Sequence, residues 1–188
     1  MTTKVVRHLA TDELEAGLEE IRRAPRDVGT VELIVRRPVE NEREVLTEAT
    51  LDLEEGLVGD MWRVRGSKRT PDGSAHPDMQ LTLMSSRVID LVAGGDRDRW
   101  ALAGDQIFVD FDISVENLPA GTRLAVGTAV IEVTAEPHTG CAKFAARFGR
   151  DAHRFVNVKT HRHLRLRGVN ARIVRTGAVA AGDPVRTL

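Results

Sequence analysis

The sequence predicts a mainly β protein: a closed or partly closed β-barrel with a few short helices and an N-terminal helix. Three observations point there. Apolar residues alternate with a period of two in six short stretches, glycines punctuate the gaps between them, and only three segments carry a helical period. Many short strands with few helices argue against a parallel α/β sheet. The 188 residues suffice for one domain, read as a helical N-terminal extension over 1–27 and a barrel domain over 28–188.

The elements follow in order. Thr11 stands as the N-cap of a first helix, with Asp12, Glu13 and Glu15 in its opening turn and Leu14, Leu18 and Ile21 as its apolar stripe. Pro25 ends it. The period then changes to two. "TVELIVR" alternates through Val31, Leu33 and Val35, and "VLTEATLDL" through Val45, Leu51 and Leu53. "MQLTLM" supplies Met79, Leu81 and Leu83, and "AVIEVTA" supplies Ile131 and Val133. "IFVDFDI" sets Ile107, Val109, Phe111 and Ile113 on one face and Asp110 and Asp112 on the other. "LRLRGVNARIV" closes the series, with Arg165 and Arg167 alternating along it. Gly59-Asp60, Gly104-Asp105 and Gly182-Asp183 read as turns. Two short helices interrupt: "SSRVIDLVAGG", capped by Ser85 or Ser86, and "CAKFAARFG", which pairs Phe144 with Phe148. Residues 65–78 form a long basic loop.

Charge narrows the partners. Net charge is −1, but residues 1–60 carry 8 Lys/Arg against 15 Asp/Glu, while His138 onward carries 11 Lys/Arg against 2 Asp. Nucleic acid binding needs aromatic stacking residues among the basic ones, and the chain has no tyrosine. A solvated basic face or a small anionic ligand remains, with no nucleic acid and no membrane as partner. No apolar run approaches the roughly 20 residues of a membrane span, and no apolar leader opens the chain, so the expected location is the cytoplasm. GxSxG, P-loop and GxGxxG motifs are absent.

The one cysteine, Cys141, opens the "AKFAARF" helix with Lys143 and Arg147 nearby. Such a setting favours a thiolate, a nucleophile or soft-metal ligand. A small buried packing residue is the alternative. His138, three residues earlier, is by itself a weak zinc signal.

The blocks "LEEGLVGD" (53–60), "QLTLMS" (80–85), "AGDQIFVDFDISVENLPAGTRLAVGTAVIEVT" (103–134), "PHTGCAKF" (137–144) and "LRGVNARIVRTGAVAAGDPV" (166–185) occur in that order. The order resembles the MOSC family, named for the C-terminal domain of molybdenum cofactor sulfurase, over roughly residues 28–187. The resemblance implies a MOSC-type β-barrel and a functional Cys141, as a molybdenum ligand or a sulfur carrier. It places the family's Gly-Asp on Gly59-Asp60, its "EN" turn on Glu116-Asn117 and its Arg-Gly on Arg167-Gly168.

It also implies molybdenum cofactor as the small anionic cofactor, and a redox or sulfur-transfer protein as partner. The expected roles are Cys141 as metal ligand, with Cys141, His138 and Asp60 in the chemistry. Lys143, Arg147, Arg167, Asn117 and Arg63 are expected around the cofactor. Many family members place proline directly before the cysteine, whereas this chain reads Pro137-His138-Thr139-Gly140-Cys141. The amidoxime-reducing members carry a larger N-terminal domain than the 27 residues here. Pyridoxal phosphate is not expected, because the sulfurases' aminotransferase-like part has no counterpart in this sequence. Two activities follow: reduction of small N-hydroxylated molecules at molybdenum, or carriage of sulfur as a Cys141 persulfide for metal–sulfur cofactor assembly.

Overall fold

The structure, a computed structural model, describes residues 6–188, so the first five residues of the expected extension lie outside the described residues. Its strands are β1 (Val28–Arg36), β2 (Glu44–Leu46), β3 (Glu48–Asp52), β4 (Gly56–Leu57), β5 (Leu81–Ser85), β6 (Ile107–Asp110), β7 (Arg123–Val126), β8 (Ala129–Val133), β9 (Val169–Arg175), β10 (Gly177–Ala180) and β11 (Pro184–Thr187). Seven of them close a barrel in the order β1-β11-β7-β8-β9-β5-β6, with β6 returning to β1; β2 extends β1 at one end. Strands β10, β3 and β4 form a small second sheet. All barrel pairings are antiparallel except β5–β6. A parallel pair needs a crossover, and residues 86–106 supply it through α4 (Ser86–Val92) and a 3-10 segment (Arg97–Ala103).

Period two is realised most cleanly in the "IFVDFDI" stretch. Ile107, Val109, Phe111 and Ile113 all enter the barrel core, while Asp110 pairs with Arg87 and Asp112 with Arg26 outside it. Strand β1 departs from the simple alternation. A bulge between Val31 and Leu33 inserts one residue, so Val31 and Ile34 face the barrel interior and Leu33 and Val35 face the helices. Val45 and Leu53 are exposed, because the inward places near them belong to Leu46, Ala49 and Leu51.

A second core lies between barrel and helices. Helices α1 (Thr11–Ala16) and α2 (Leu18–Arg22) bring Leu14, Leu18 and Ile21 against Met84, Val88, Ile89 and Phe155. The N-cap is Ala10 and not Thr11, which is the first helical residue; the Glu13 carboxylate reaches back to accept the Ala10 N–H at 2.9 Å. Ser85 precedes α4 in extended backbone, without a side-chain cap bond. Helix α5 (Ala142–Phe148) stacks Phe144 on Phe148 at 4.8 Å between ring centres. Helix α6 (Arg150–Asn157) follows directly. The single turn α3 (Trp62–Arg65) leads into the basic loop, which is tied down by Arg69 on Glu136 at 2.6 Å. No helix among the described residues is long and apolar enough to cross a membrane.

Candidate functional site

The turn at Gly104-Asp105, just before β6, is gripped from two sides by buried arginines. Arg37, immediately after β1, donates from its Nη1 to the Gly104 carbonyl at 3.0 Å. Its Nε and Nη2 bind the two oxygens of Asp60 at 2.8 and 2.7 Å. Arg167, just before β9, donates to the Ala103 carbonyl at 3.0 Å and to Asp105 Oδ2 at 2.5 Å. Charged side chains are rarely buried unless paired, and here each pair satisfies its own charge inside the protein. Gly104 has φ +88, and a Cβ there would sit 3.3 Å from Arg43 Nη2.

Asp105 also binds His138, through Nε2 at 2.8 Å. Complete burial opposes its charged form, but Arg167 and His138 outweigh that and hold its carboxyl well below the ordinary carboxylate range. Burial, reinforced by the charge of Arg167, pushes His138 down, so the imidazole is neutral near neutral pH. An ionised Asp105 only accepts; Nε2 therefore carries the ring proton and Nδ1 is left as the acceptor. Gly168 makes this approach possible. At φ +109 its missing Cβ would lie 2.3 Å from the Leu83 carbonyl and 3.2 Å from His138 Cδ2.

The segment that reads as a strand from Leu164 is a turn up to Gly168, because the Gly168 N–H closes back on the Arg165 carbonyl at 2.7 Å. Arg165 therefore does not alternate with Arg167. It sits in the left-handed region at φ +50, which costs a non-glycine residue roughly 1–2 kcal/mol.

Cys141 is exposed and is the residue preceding α5, in extended backbone. Three residues of chain separate it from His138, a reach of at most about 11 Å. Its place is fixed from both sides. Gly140 donates to Asn157 Oδ1 at 2.8 Å, and the Gly140 carbonyl bonds His153 at 2.9 Å. Phe144, one turn into α5, packs under the Arg167 guanidinium at 5.0 Å. Lys143 pairs with Glu40 in the loop after β1, and Arg147 donates to the Leu102 carbonyl at 2.7 Å. Arg43 joins them: its Nε is buried with no partner among the described residues, and burial together with Arg147 and Arg37 lowers its pKa. The Arg167 Nε is likewise buried and unpartnered.

The residues singled out in the sequence thus divide. His138, Arg147 and Arg167 gather around the Gly104 turn, Cys141 heads the helix whose Phe144 packs under Arg167, and Lys143 is tethered to Glu40. Asp60 is part of the same structure, but its oxygens are held by Arg37 and by the backbone N–H groups of Arg37 and Trp62, both at 2.9 Å. Asn117 donates to the Asp112 and Arg26 carbonyls, in a turn elsewhere. Arg63 is exposed, with Glu54 at 3.8 Å. Asp105, Arg37 and Arg43 were not singled out. Asp105 was visible in the sequence only as half of a Gly-Asp turn. Among the described residues, no three His, Cys, Asp or Glu side chains converge as a metal site.

Similarity to known proteins agrees with this architecture. A family model described as "MOSC domain" matches residues 72–186. The fold is similar to that of the YuaD protein of Bacillus subtilis, with TM-score 0.59 and 19% identity over 85% of this chain and 95% of that one. It is also similar to YiiM from Escherichia coli, with TM-score 0.53 and 18% identity over 85% of this chain and 69% of that one. YiiM from Geobacillus stearothermophilus gives TM-score 0.53 at 12% identity, over 85% of this chain and 75% of that one. No curated protein is significantly similar in sequence. A seven-stranded barrel, a lone cysteine at the head of α5 and a family match over more than half the chain lead to one conclusion: this chain belongs to the MOSC domain family.

Proposed function

We propose that this protein holds a molybdenum–pterin cofactor against the rim between α5 and the loop after β1, with the Cys141 thiolate as metal ligand, and reduces small N-hydroxylated molecules there. The charge of the rim carries the reading. Arg37, Arg43, Arg147 and Arg167 surround the Gly104 turn, with Arg65 close enough to feel Arg37 and Asp60, against two carboxylates, Asp60 and Asp105. A phosphate-bearing ligand supplies the missing negative charge, and guanidinium groups bind phosphate in two-point contacts. The donor set fits in a second way. With no cluster of three ligating side chains among the described residues, a metal at Cys141 must bring its remaining ligands with it, as a dithiolene-bound metal does.

In this reading Arg43 and Arg147 hold the phosphate, and Cys141 holds the metal. When bound, the cofactor supplies two-electron redox chemistry. Reduction of N–OH to N–H takes up two electrons and two protons and releases water, with the electrons delivered by a redox partner protein. His138 is the proton-handling residue: Asp105 fixes its Nε2–H and leaves Nδ1 to exchange a proton with the substrate.

The exposure of Cys141 favours a second reading. A persulfide there is open to attack by a partner's thiolate, which takes the outer sulfur and leaves the Cys141 thiolate behind. Elemental analysis of protein from a molybdenum-replete host tests both. Near-stoichiometric molybdenum in the wild type and none in Cys141→Ser supports the first reading; equal molybdenum in both overturns thiolate ligation. Absence of the metal, with the mass of one extra sulfur on Cys141, supports carriage.

A further inference from the structure

Beside the Gly104 turn, walled on one side by residues 135–139, lies a cleft of about 400 Å³. Its size is that of a small-molecule site. Val115, Val156, Val158 and Leu166 give it an apolar wall, and Arg162, Arg165 and Arg167 give it cations, with His138 among the lining residues. The lining includes one carboxylate, Glu136, which is neutralised by Arg69 at 2.6 Å. Arg167 has its counter-ion in Asp105. Among the described residues, Arg165 and Arg162 have none. The half-buried Arg165 guanidinium touches only carbonyl groups, Leu118 at 2.5 Å and Ile113 at 3.4 Å, through a single nitrogen. Arg162 is exposed and free of ion pairs among the described residues.

We propose that this cleft binds a small organic anion, a carboxylate on an apolar body, with Arg165 as its principal anchor. A half-buried cation without a counter-ion, beside an apolar wall, has the complementarity such a ligand needs, since a carboxylate takes the two free guanidinium nitrogens side by side. The left-handed backbone at Arg165 supports the assignment. A strained conformation at a long cationic side chain fixes where that side chain leaves the backbone, and strain of this kind collects at ligand sites. The cleft shares His138 and Arg167 with the site above, but its anchors, Arg165 and Arg162, are distinct from Cys141, Arg43 and Arg147, so carboxylate binding is tested without metal or sulfur loading.

The test is calorimetric titration of the protein with 4-phenylbutyrate and, separately, with its neutral amide. The acid is expected to bind at least about tenfold more tightly than the amide, with an affinity that falls as salt rises. Arg165→Gln should weaken the acid about tenfold and leave the amide unchanged. Because Arg165 also braces the 113–118 turn, Arg162→Gln is the second variant. It breaks no contact within the fold and should weaken the acid a few-fold. Arg63→Gln, elsewhere on the surface, should do nothing. Equal affinity for acid and amide, no binding of the acid at about 10 mM, or an unchanged affinity in both cleft variants would overturn the proposal.

Discussion

The two buried arginine–aspartate pairs use the same chemistry for different ends. Arg37 and Asp60 are saturated: Asp60 accepts from two guanidinium nitrogens and two backbone N–H groups. Arg167 and Asp105 are not. Asp105 is shared with a neutral histidine, the Arg167 Nε is unpartnered, and both Arg167 and His138 line a cleft. The first pair is a strut that fixes the loop after β1. The second holds the same turn but leaves the buried Arg167 Nε unused. A buried ion pair beside a cavity is thus distinguished from a structural one by its unused hydrogen-bonding groups, not by its depth.

The largest expected effect breaks the strut. Asp60→Ala leaves Arg37 charged, buried and alone and should cost about 4–5 kcal/mol, read as a fall in the denaturation midpoint. Asp105→Ala should cost less, about 3 kcal/mol, because Asp105 serves fewer donors and its arginine lies beside a cleft. The reverse order would show that the two pairs are not different in kind. Next in size is a pH effect. The native pKa of His138 is lowered by burial and Arg167, so above about pH 6.5 both folded and unfolded chains keep it neutral. As pH falls below that value, the unfolded chain takes up a proton that the fold resists, and stability drops toward the lowered native pKa. Asp105, also lowered, adds a separate loss only below about pH 4. In denaturation curves across pH, His138→Gln should remove the first limb and retain the second. Smallest is Cys141→Ser. Its side chain is exposed and supports nothing, so stability should change by no more than about 0.5 kcal/mol, and the proposed function adds the loss of molybdenum or sulfur loading.

The barrel was legible because its signal is local. Ile107, Val109, Phe111 and Ile113 announce their face within seven residues, and Phe144 and Phe148 announce theirs within five. The bulge in β1 was not, since it is fixed by pairing with β6 and leaves no mark in the alternation itself. The site was half legible. Cys141 and His138 lie in one short segment, and the family's block order drew attention to it. Asp105 and Arg37 were hidden because their partners lie 62 and 23 residues away, and a buried charge looks like any surface charge until its partner is known. Arg167 was noticed through its Arg-Gly motif but assigned to a strand; Gly168 serves the turn and the His138 approach instead.

The closure of the barrel has a consequence for how the chain is made. Strand β11, residues 184–187, is wedged between β1 and β7, so β1 waits for a strand made more than 150 residues later. Until then β1 presents an open edge, and β7 another, each able to pair with a neighbouring nascent chain. Closure therefore depends on contacts between residues more than 150 positions apart, and such contacts slow folding. Overexpression should accordingly favour misassembly between nascent chains, and a lower expression level should improve the yield of closed barrel.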